Sequence, residues 1–183
     1  AIKQGWPQAF VAVIGIHTTA LPQDAFTRAP RLDAVIRGEP ELTVRELCAA
    51  IGAGKPVDGI AGLALMRDGA LQVNPDRAPV ENLDDLPFPA YDLIRHDLYK
   101  MPYTNGNFLL VATGRGCPHP CTFCADHTYY GKKLRLRSAK NLVDELEHWG
   151  KAYGIREFLF WSEGFTLSPP RAKAVAREIA ARG

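Results

Sequence analysis

Several features that would assign this chain to a familiar class are scarce or missing. Four cysteines among 183 residues are too few for the disulfide framework of a small secreted domain. There is no run of about 18 apolar residues, so the sequence predicts no membrane-spanning helix. Lys and Arg number 22 against 20 Asp and Glu, an excess too small to predict a nucleic-acid or anionic-membrane surface. Without a P-loop or a Ser-His-Asp arrangement, NTPase and hydrolase chemistry have no support.

What is present indicates a folded domain inside a larger protein. Apolar residues make up 46% and charged residues 23% of the chain, which is the range of globular domains rather than disordered segments. The first residues are Ala1-Ile2-Lys3, with neither an initiator Met nor a signal peptide. We therefore expect a piece of a longer, cytoplasmic protein.

The first third of the chain has the pattern of an α/β domain. Apolar runs at 10–14 and 33–36 predict strands, the first covered on both faces and followed by a loop at 15–19. Thr43 and Glu46 have the spacing of a capping box and predict a helix. Its predicted apolar face comprises Val44, Leu47, Cys48 and Ile51. Asp68-Gly69 predicts a hairpin between strands at 63–66 and 70–73.

The second half of the chain has the order strand, helix, strand, helix. A Pro-rich stretch from residue 74 precedes it and predicts a linker. The strands are predicted at 108–112 and 158–161. Ser138 predicts the start of a helix with an apolar face of Leu142, Val143, Leu146 and Trp149, and Pro169 opens the last helix. Two such βα units predict the start of a parallel sheet or barrel.

Three of the four cysteines lie within eight residues. Cys117, Cys121 and Cys124 follow the predicted strand 108–112, and βα folds place their active sites at the carboxyl ends of strands. Three thiolates can hold a four-iron cluster with one iron left open for a ligand. A zinc site completed by His119 or His127 is the alternative. A nearby basic run, which includes Arg135 and Arg137, is predicted to be a solvated face.

The segment 115–124, Arg-Gly-Cys-Pro-His-Pro-Cys-Thr-Phe-Cys, resembles the cluster loop of the radical S-adenosylmethionine (SAM) enzymes. Their hallmark is C-x3-C-x-aromatic-C after the first barrel strand, and Phe123 occupies the aromatic position. The resemblance implies that Cys117, Cys121 and Cys124 ligate a [4Fe–4S] cluster and that Phe123 packs near the adenine of SAM. Reduction of the cluster then cleaves SAM to methionine and a 5′-deoxyadenosyl radical.

Other segments resemble further parts of the same family. Residues 160–166 correspond to an F-x-D-D-x-F-T segment, which implies that Glu163, with Ser162 in place of the first acid, lies at the SAM ammonium. Residues 13–17 and 35–43 resemble the end of a cobalamin-binding domain and imply that Gly15 and His17 lie at a cobalamin pocket. The D-x-H-x-x-G motif of the axial cobalt ligand is absent, so whether cobalamin is bound stays open.

Together these features predict an α/β chain. The C-terminal part of a Rossmann-like cobalamin-binding domain (1–73) leads through a linker (74–103) into the first βα units of a partial (β/α)6 radical SAM barrel (104–183). The expected function is radical methylation or cyclisation of an unactivated carbon in a small-molecule substrate, with flavodoxin or ferredoxin as reductant and without nucleic acid or membrane span. The alternative is a non-catalytic module holding structural zinc or an electron-transfer cluster.

Overall fold

The computed structural model describes all residues from 1 to 183, and their packing divides the chain into two compact units. Unit 1 comprises residues 1–80 and 119–132, and unit 2 comprises residues 81–118 and 133–183. The predicted linker 74–103 contributes residues to both units. The predicted domain boundaries at 73 and 103 remain a prediction. No helix combines the length and apolar character needed to cross a bilayer.

Unit 1 is built on a four-stranded sheet with the strands in sequence order. The first pair is parallel and the other two are antiparallel. The strands are β1 (Ala12–Ile14), β2 (Ala34–Ile36), β3 (Leu63–Arg67) and β4 (Ala70–Val73). The helices are α1 (Ile2–Gly5), α2 (Ile16–Ala20), α3 (Pro22–Arg28), α4 (Pro40–Gly52) and α5 (Asp126–Tyr129). The hairpin between β3 and β4 is confirmed, and its turn residues Asp68 and Gly69 both have positive φ angles, as a type I′ turn requires.

The sheet of unit 1 has a core on each face because successive residues of β2 point to opposite sides. Ala34 and Ile36 pack with Leu47 of α4 on one face. Val35 packs with Phe26 of α3 on the other. All three residues of β2 are buried, which confirms the strand predicted at 33–36.

The prediction that strand 10–14 is covered on both faces is wrong for this chain. The strand β1 is shorter than predicted and lies at the sheet edge with β2 as its one neighbour. Phe10 and Ile14 are 37% and 52% exposed, while Val13 packs against the core. The apolar run therefore has one covered and one open face. The predicted loop after it is also wrong at most positions, because residues 16–20 form helix α2.

Helix α4 begins earlier and buries a different face than predicted. It begins at Pro40, and Thr43 lies inside it rather than capping it. The Thr43 hydroxyl donates to the Ala61 carbonyl (3.2 Å) and accepts from Arg77 Nε (2.7 Å). These bonds turn Thr43 and Leu47 inward, so Cys48, predicted to be a core thiol, is exposed.

Unit 2 contains the two predicted βα units in a parallel pair of strands. The longer elements are β5 (Phe108–Ala112), α6 (Ala139–Tyr153), β8 (Glu157–Trp161) and α7 (Pro169–Arg182). A two-residue antiparallel pair that the sequence did not predict, β6 (Gly114–Arg115) and β7 (Arg135–Leu136), follows β5. Short 3-10 turns lie at Leu83–Asp85, Tyr91–Leu93, His96–Leu98 and Phe165–Leu167.

The core of unit 2 lies on one face of the β5–β8 pair. Leu109 packs with Trp149 of α6, and Val111 packs with Leu142 of α6 and Val175 of α7. On the other face, Leu110, Leu159 and Trp161 are 37%, 42% and 57% exposed. The Ser138 hydroxyl accepts a hydrogen bond from the Asn141 N–H at 3.1 Å, which confirms the predicted cap of α6.

Candidate cluster loop and cofactor site

The carboxyl ends of β5 and β8 lie side by side because the two strands are parallel and in register. Ala112 pairs with Trp161, and the Thr113 N–H donates to the Trp161 carbonyl at 2.9 Å. The segment that holds the cysteines follows β5, and Ser162 and Glu163 follow β8. The structure therefore brings the beginning of the cysteine segment and the Glu163 segment to one edge of the sheet, where βα folds place their active sites.

The cysteines lie in a segment without regular secondary structure, residues 116–125, which we call the cysteine loop. None of the three cysteines forms a disulfide, and Cys117 is partly exposed while Cys121 and Cys124 are exposed. The loop opens at Gly116, whose φ of 78° lies in the left-handed region that favours glycine. The Cys124 N–H donates to the Cys121 carbonyl at 3.1 Å.

The three cysteines are the type of ligand that an iron–sulfur cluster requires, but their side chains are not gathered into one group. The chemistry of the donor set fits, because three cysteines outside any disulfide can supply the three thiolates that an iron–sulfur cluster with one open iron requires. The structure contains no group of three or more His, Cys, Asp or Glu side chains gathered so that they could hold a metal ion. The same holds for the zinc alternative with His119 or His127.

The other residues predicted near SAM differ in their surroundings. The ring of Phe123 is 91% exposed, so it packs on no neighbour in this structure. Ser162 Oγ accepts a hydrogen bond from the Gly164 N–H at 3.2 Å, which tightens the turn after β8. Glu163, between them, is half-buried.

Gly15 and His17, predicted at a cobalamin pocket, lie at the carboxyl end of β1 in unit 1. Gly15 has a φ of 138° and precedes helix α2, which carries His17. His17 Nε2 lies 2.7 Å from Asp24 Oδ2, and Arg28 Nε donates to the same oxygen. The bonds from His17 and Arg28 lower the pKa of Asp24. Helix α2 packs against α5, which begins two residues after Cys124.

Unit 1 also holds a cavity of about 520 Å³ beyond the carboxyl end of β2. Its lining includes Thr19, Arg37, Glu39, Arg77 and Tyr129. The Thr19 hydroxyl accepts a hydrogen bond from the Gly38 N–H at 3.1 Å. Arg37 is paired with Asp76, and Arg77 with Glu46. Of the residues predicted at a site, His127, the alternative zinc ligand, lines this cavity.

Sequence reasoning missed two arginines at the end of β5. Arg137, predicted on a solvated face, is 9% exposed, and its Nη1 donates to the Ala112 carbonyl at 3.0 Å and to the buried carboxylate of Glu145. Arg171 of α7 donates from Nη2 to the Thr113 carbonyl at 2.8 Å and from Nε to the Arg137 carbonyl at 3.1 Å. Arg135 is also buried, at 4%, so the predicted solvated face is wrong at both positions.

Burial perturbs the charges of this group. It raises the pKa of Glu145, an effect that the positive charge of Arg137 opposes. It lowers the pKa of Arg171, and the neighbouring charge of Arg137 lowers it further. The sequence alone carried only one signal of this arrangement. Glu145 lies three residues after Leu142 and four before Trp149, on the apolar face of the predicted helix, where a carboxylate needs a buried partner.

Comparison with known proteins connects the chain to one family. Residues 111–183 match the family model of the radical SAM superfamily. An uncharacterised methyltransferase of Pyrococcus horikoshii is 37% identical over 95% of this chain and 38% of its own length. The cytidylyl-2-hydroxyethylphosphonate methyltransferase of Streptomyces wedmorensis is 31% identical over 93% of this chain and 37% of its own length.

The anaerobic magnesium-protoporphyrin IX monomethyl ester cyclase of Rubrivivax gelatinosus is 29% identical over 90% of this chain and 30% of its own length. The chain thus spans less than two fifths of the length of each of these relatives.

Solved structures agree on the fold. OxsB, described as a cobalamin-dependent SAM radical enzyme with aqua-cobalamin and SAM bound, superposes with a TM-score of 0.77 at 21% identity. That match covers 98% of this chain and 25% of OxsB. The methyltransferase TsrM from Kitasatospora setae, with cobalamin and a [4Fe-4S] cluster bound, gives 0.71 at 22% identity over 96% of this chain and 34% of its own. The mixed α/β fold therefore matches that of cobalamin-dependent radical SAM methyltransferases, and residues 111–183 of the chain match the radical SAM superfamily.

Proposed function

We propose that the chain is the cluster- and SAM-binding part of a radical SAM enzyme that methylates or cyclises an unactivated carbon. The observation that carries the proposal is the C-x3-C-x-Phe-C arrangement of three cysteines, none of them in a disulfide, in the loop that follows β5 and the short strand β6. That loop begins at the sheet edge it shares with Glu163. At finer scale, we propose that unit 2 is the first part of a (β/α)6 barrel and that β1 and β2 belong to a Rossmann-like cobalamin-binding domain.

The loop and the segment after β8 supply the binding groups. Cys117, Cys121 and Cys124 would hold three irons of a [4Fe–4S] cluster and leave the fourth without a protein thiolate. When bound, the cluster supplies the electron that cleaves SAM. Glu163 offers a carboxylate for the SAM ammonium, with Ser162 holding its turn. The exposed ring of Phe123 is available to pack against an adenine.

Gly15 and His17 are proposed to border a cobalamin. Gly15 leaves the carboxyl end of β1 open to a close ligand, since no atom lies within 4 Å of where its Cβ would be. Hydrogen bonding to Asp24 fixes the ring of His17 through Nε2. The full protein would act on a small-molecule substrate and take electrons from a flavodoxin or ferredoxin. The methyltransferases and the cyclase among the relatives support both reaction types.

The test is anaerobic reconstitution with iron and sulfide, followed by EPR spectroscopy of the reduced protein with and without SAM. We expect about four irons per chain and a [4Fe–4S]⁺ signal that shifts when SAM is added. Cys124→Ser should lose most of the iron, whereas Cys48→Ser, which removes the exposed thiol of α4, should bind as much iron as the unmodified chain.

Two results would contradict the proposal. A cluster whose EPR signal is indifferent to SAM would indicate an electron-transfer protein. Uptake of zinc without any cluster would indicate a structural metal module.

A further inference from the structure

We infer that Arg171 and Arg137 are positioning residues for the cysteine loop, because they hold the backbone from which it departs. The inference rests on the proposed function for its cluster readout, and its geometric part is independent of the cluster. The ladder between β5 and β8 ends at the bond from the Thr113 N–H to the Trp161 carbonyl. Cys117 follows only four residues later, and the cysteine loop contains no helix or strand.

The arginines occupy the two carbonyl groups where β5 ends. The Ala112 carbonyl accepts from Arg137 Nη1 (3.0 Å). The Thr113 carbonyl accepts from Arg171 Nη2 (2.8 Å) and from the Arg137 backbone N–H (3.2 Å). Without the guanidinium groups the Ala112 carbonyl would lose this donor, and the carbonyl of the fully buried Thr113 would keep only the longer bond from the Arg137 N–H. Loss of a hydrogen-bond partner from a buried carbonyl is costly.

Each guanidinium is itself fixed in place. Arg137 Nε donates to Asn141 Oδ1 at 2.7 Å, and Arg137 pairs with the buried Glu145. Arg171 lies over the ring of Phe165, 5.2 Å from its centroid, and its Nε donates to the Arg137 carbonyl. The planar fork of an arginine can serve two acceptors in a fixed orientation, which a lysine cannot do. Arg137, just before α6, and Arg171 of α7 thus clamp the strand end through both guanidinium groups and the Arg137 backbone N–H.

The clamp also sets the charge at this strand end. Two guanidinium groups and one buried carboxylate leave an excess of positive charge beside Thr113. Three thiolates make a four-iron cluster net negative, and its potential depends on nearby charge and hydrogen bonding. Loss of Arg171 should therefore make the cluster harder to reduce as well as loosen the beginning of the loop.

The geometric part is tested by amide hydrogen exchange on the chain without cluster. Arg171→Met should speed exchange of the Thr113 and Arg137 amides by about tenfold, since bonds of a charged donor are lost. Arg177→Met is the matched control, because Arg177 lies on the same helix, is exposed and contacts neither carbonyl. In this variant the Thr113 and Arg137 amides should exchange as fast as in the unmodified chain. Unchanged exchange in Arg171→Met would overturn the inference.

Arg171→Lys separates positioning from general stability. It keeps the charge and the aliphatic stem but can reach only one acceptor, so exchange at Thr113 and Arg137 should lie between the unmodified chain and Arg171→Met. The amides of Leu142 and Val143, in the core of α6, should stay protected in both variants. If the Leu142 and Val143 amides lose as much protection as those of Thr113 and Arg137, then Arg171 stabilises the whole unit rather than the strand end, and the inference is overturned.

The cluster readout is the midpoint potential of the reconstituted protein. Arg171→Met should shift it to a more negative value, Arg171→Lys less so, and Arg177→Met not at all. If the unmodified chain takes up no cluster, the proposed function fails while the exchange experiment still decides on the clamp. If a SAM-responsive cluster forms and Arg171→Met leaves both potential and exchange unchanged, only this inference fails.

Discussion

Glu145 and Arg137 show how a single buried charge constrains its partner. The Glu145 side chain is fully enclosed on α6, and Arg137 is its counter-ion. Arg137→Met should lower the free energy of unfolding by about 3–5 kcal/mol, because it leaves a buried carboxylate unpaired. Arg95→Met, which breaks an exposed pair with Asp97, should leave the free energy of unfolding nearly unchanged. Urea denaturation measures both.

The double variant Arg137→Met/Glu145→Leu tests the cause. Replacing both members of a buried ion pair with apolar residues is far less costly than removing one. The double variant should therefore be more stable than Arg137→Met alone. If it is less stable, then the unpaired carboxylate is not the source of the loss.

Substitution by alanine is expected to change the stability of the chain in opposite directions at two glycines. A Cβ at Gly114 would lie 2.6 Å from Leu136 Cδ2 and 2.9 Å from the Arg135 carbonyl, so Gly114→Ala should destabilise by about 1–3 kcal/mol. Gly52, the last residue of α4, has open space around it, and Gly52→Ala should stabilise by about 0.5–1 kcal/mol. Urea midpoints moving in the same direction would contradict this reasoning.

At the scale of elements, α6 and α7 are linked by an acid-sensitive pair. Arg182 at the end of α7 donates to Asp144 of α6 at 2.7 Å. The bonds from Lys140 and Arg182 lower the pKa of Asp144. Because the pKa of Asp144 is lower in the folded state than its unfolded value of about 3.9, the ionised carboxylate stabilises the folded state at pH values above that value. This stabilisation is lost as the pH falls through the folded-state pKa.

Asp144→Asn should therefore destabilise the chain by at most about 1 kcal/mol at pH 7, given the partial exposure of the pair. The difference from the unmodified chain should shrink as the pH falls below about 4. Asp92→Asn, at an exposed acid in a 3-10 turn, should show no such trend. A difference that grows at low pH in urea denaturation would refute the assignment.

Elements with strong local signals were predictable from the sequence, and those set by distant partners were not. The apolar runs at β5 and β8, the Ser138 cap and Pro169 each determine structure locally, and all four are confirmed. Helix α4 was mispredicted because Arg77 and Ala61, far along the chain, bind Thr43. Helix α2 was missed because its five residues include weak helix formers.

The candidate site shows the same difference between residues with local sequence signals and residues set by distant partners. A short motif in one loop predicts the three cysteines and Phe123 as site residues, and the segment after β8 predicts Glu163; these roles stay predictions, and the structure shows that β5 and β8 are paired in parallel. Arg137 was misplaced because a run of basic residues does not reveal which of them meet buried acceptors. Arg171 had no sequence signal, since its acceptors are backbone carbonyls more than thirty residues away.

At the scale of the whole molecule, each unit has its own hydrophobic core. Separate cores predict that unfolding is not a single two-state transition. Trp149, 6% exposed in the core of unit 2, should report on that unit by its fluorescence, since Trp6 and Trp161 are already 71% and 57% exposed. Circular dichroism follows the helices of both units. We expect different midpoints from the two probes in urea, and coincident curves would contradict the prediction.

The exposed thiol of Cys48 has a practical consequence for handling the protein in air. A free surface cysteine outside the cysteine loop can form a disulfide with a second copy of the chain. Cys121 and Cys124, close in sequence and both exposed, can oxidise within one chain. Aerobic preparations should thus accumulate covalent dimers through Cys48 together with chains whose loop is closed by oxidation. Cys48→Ser should remove the covalent dimers. The disulfide within the loop should still form, and a reducing agent should reverse it.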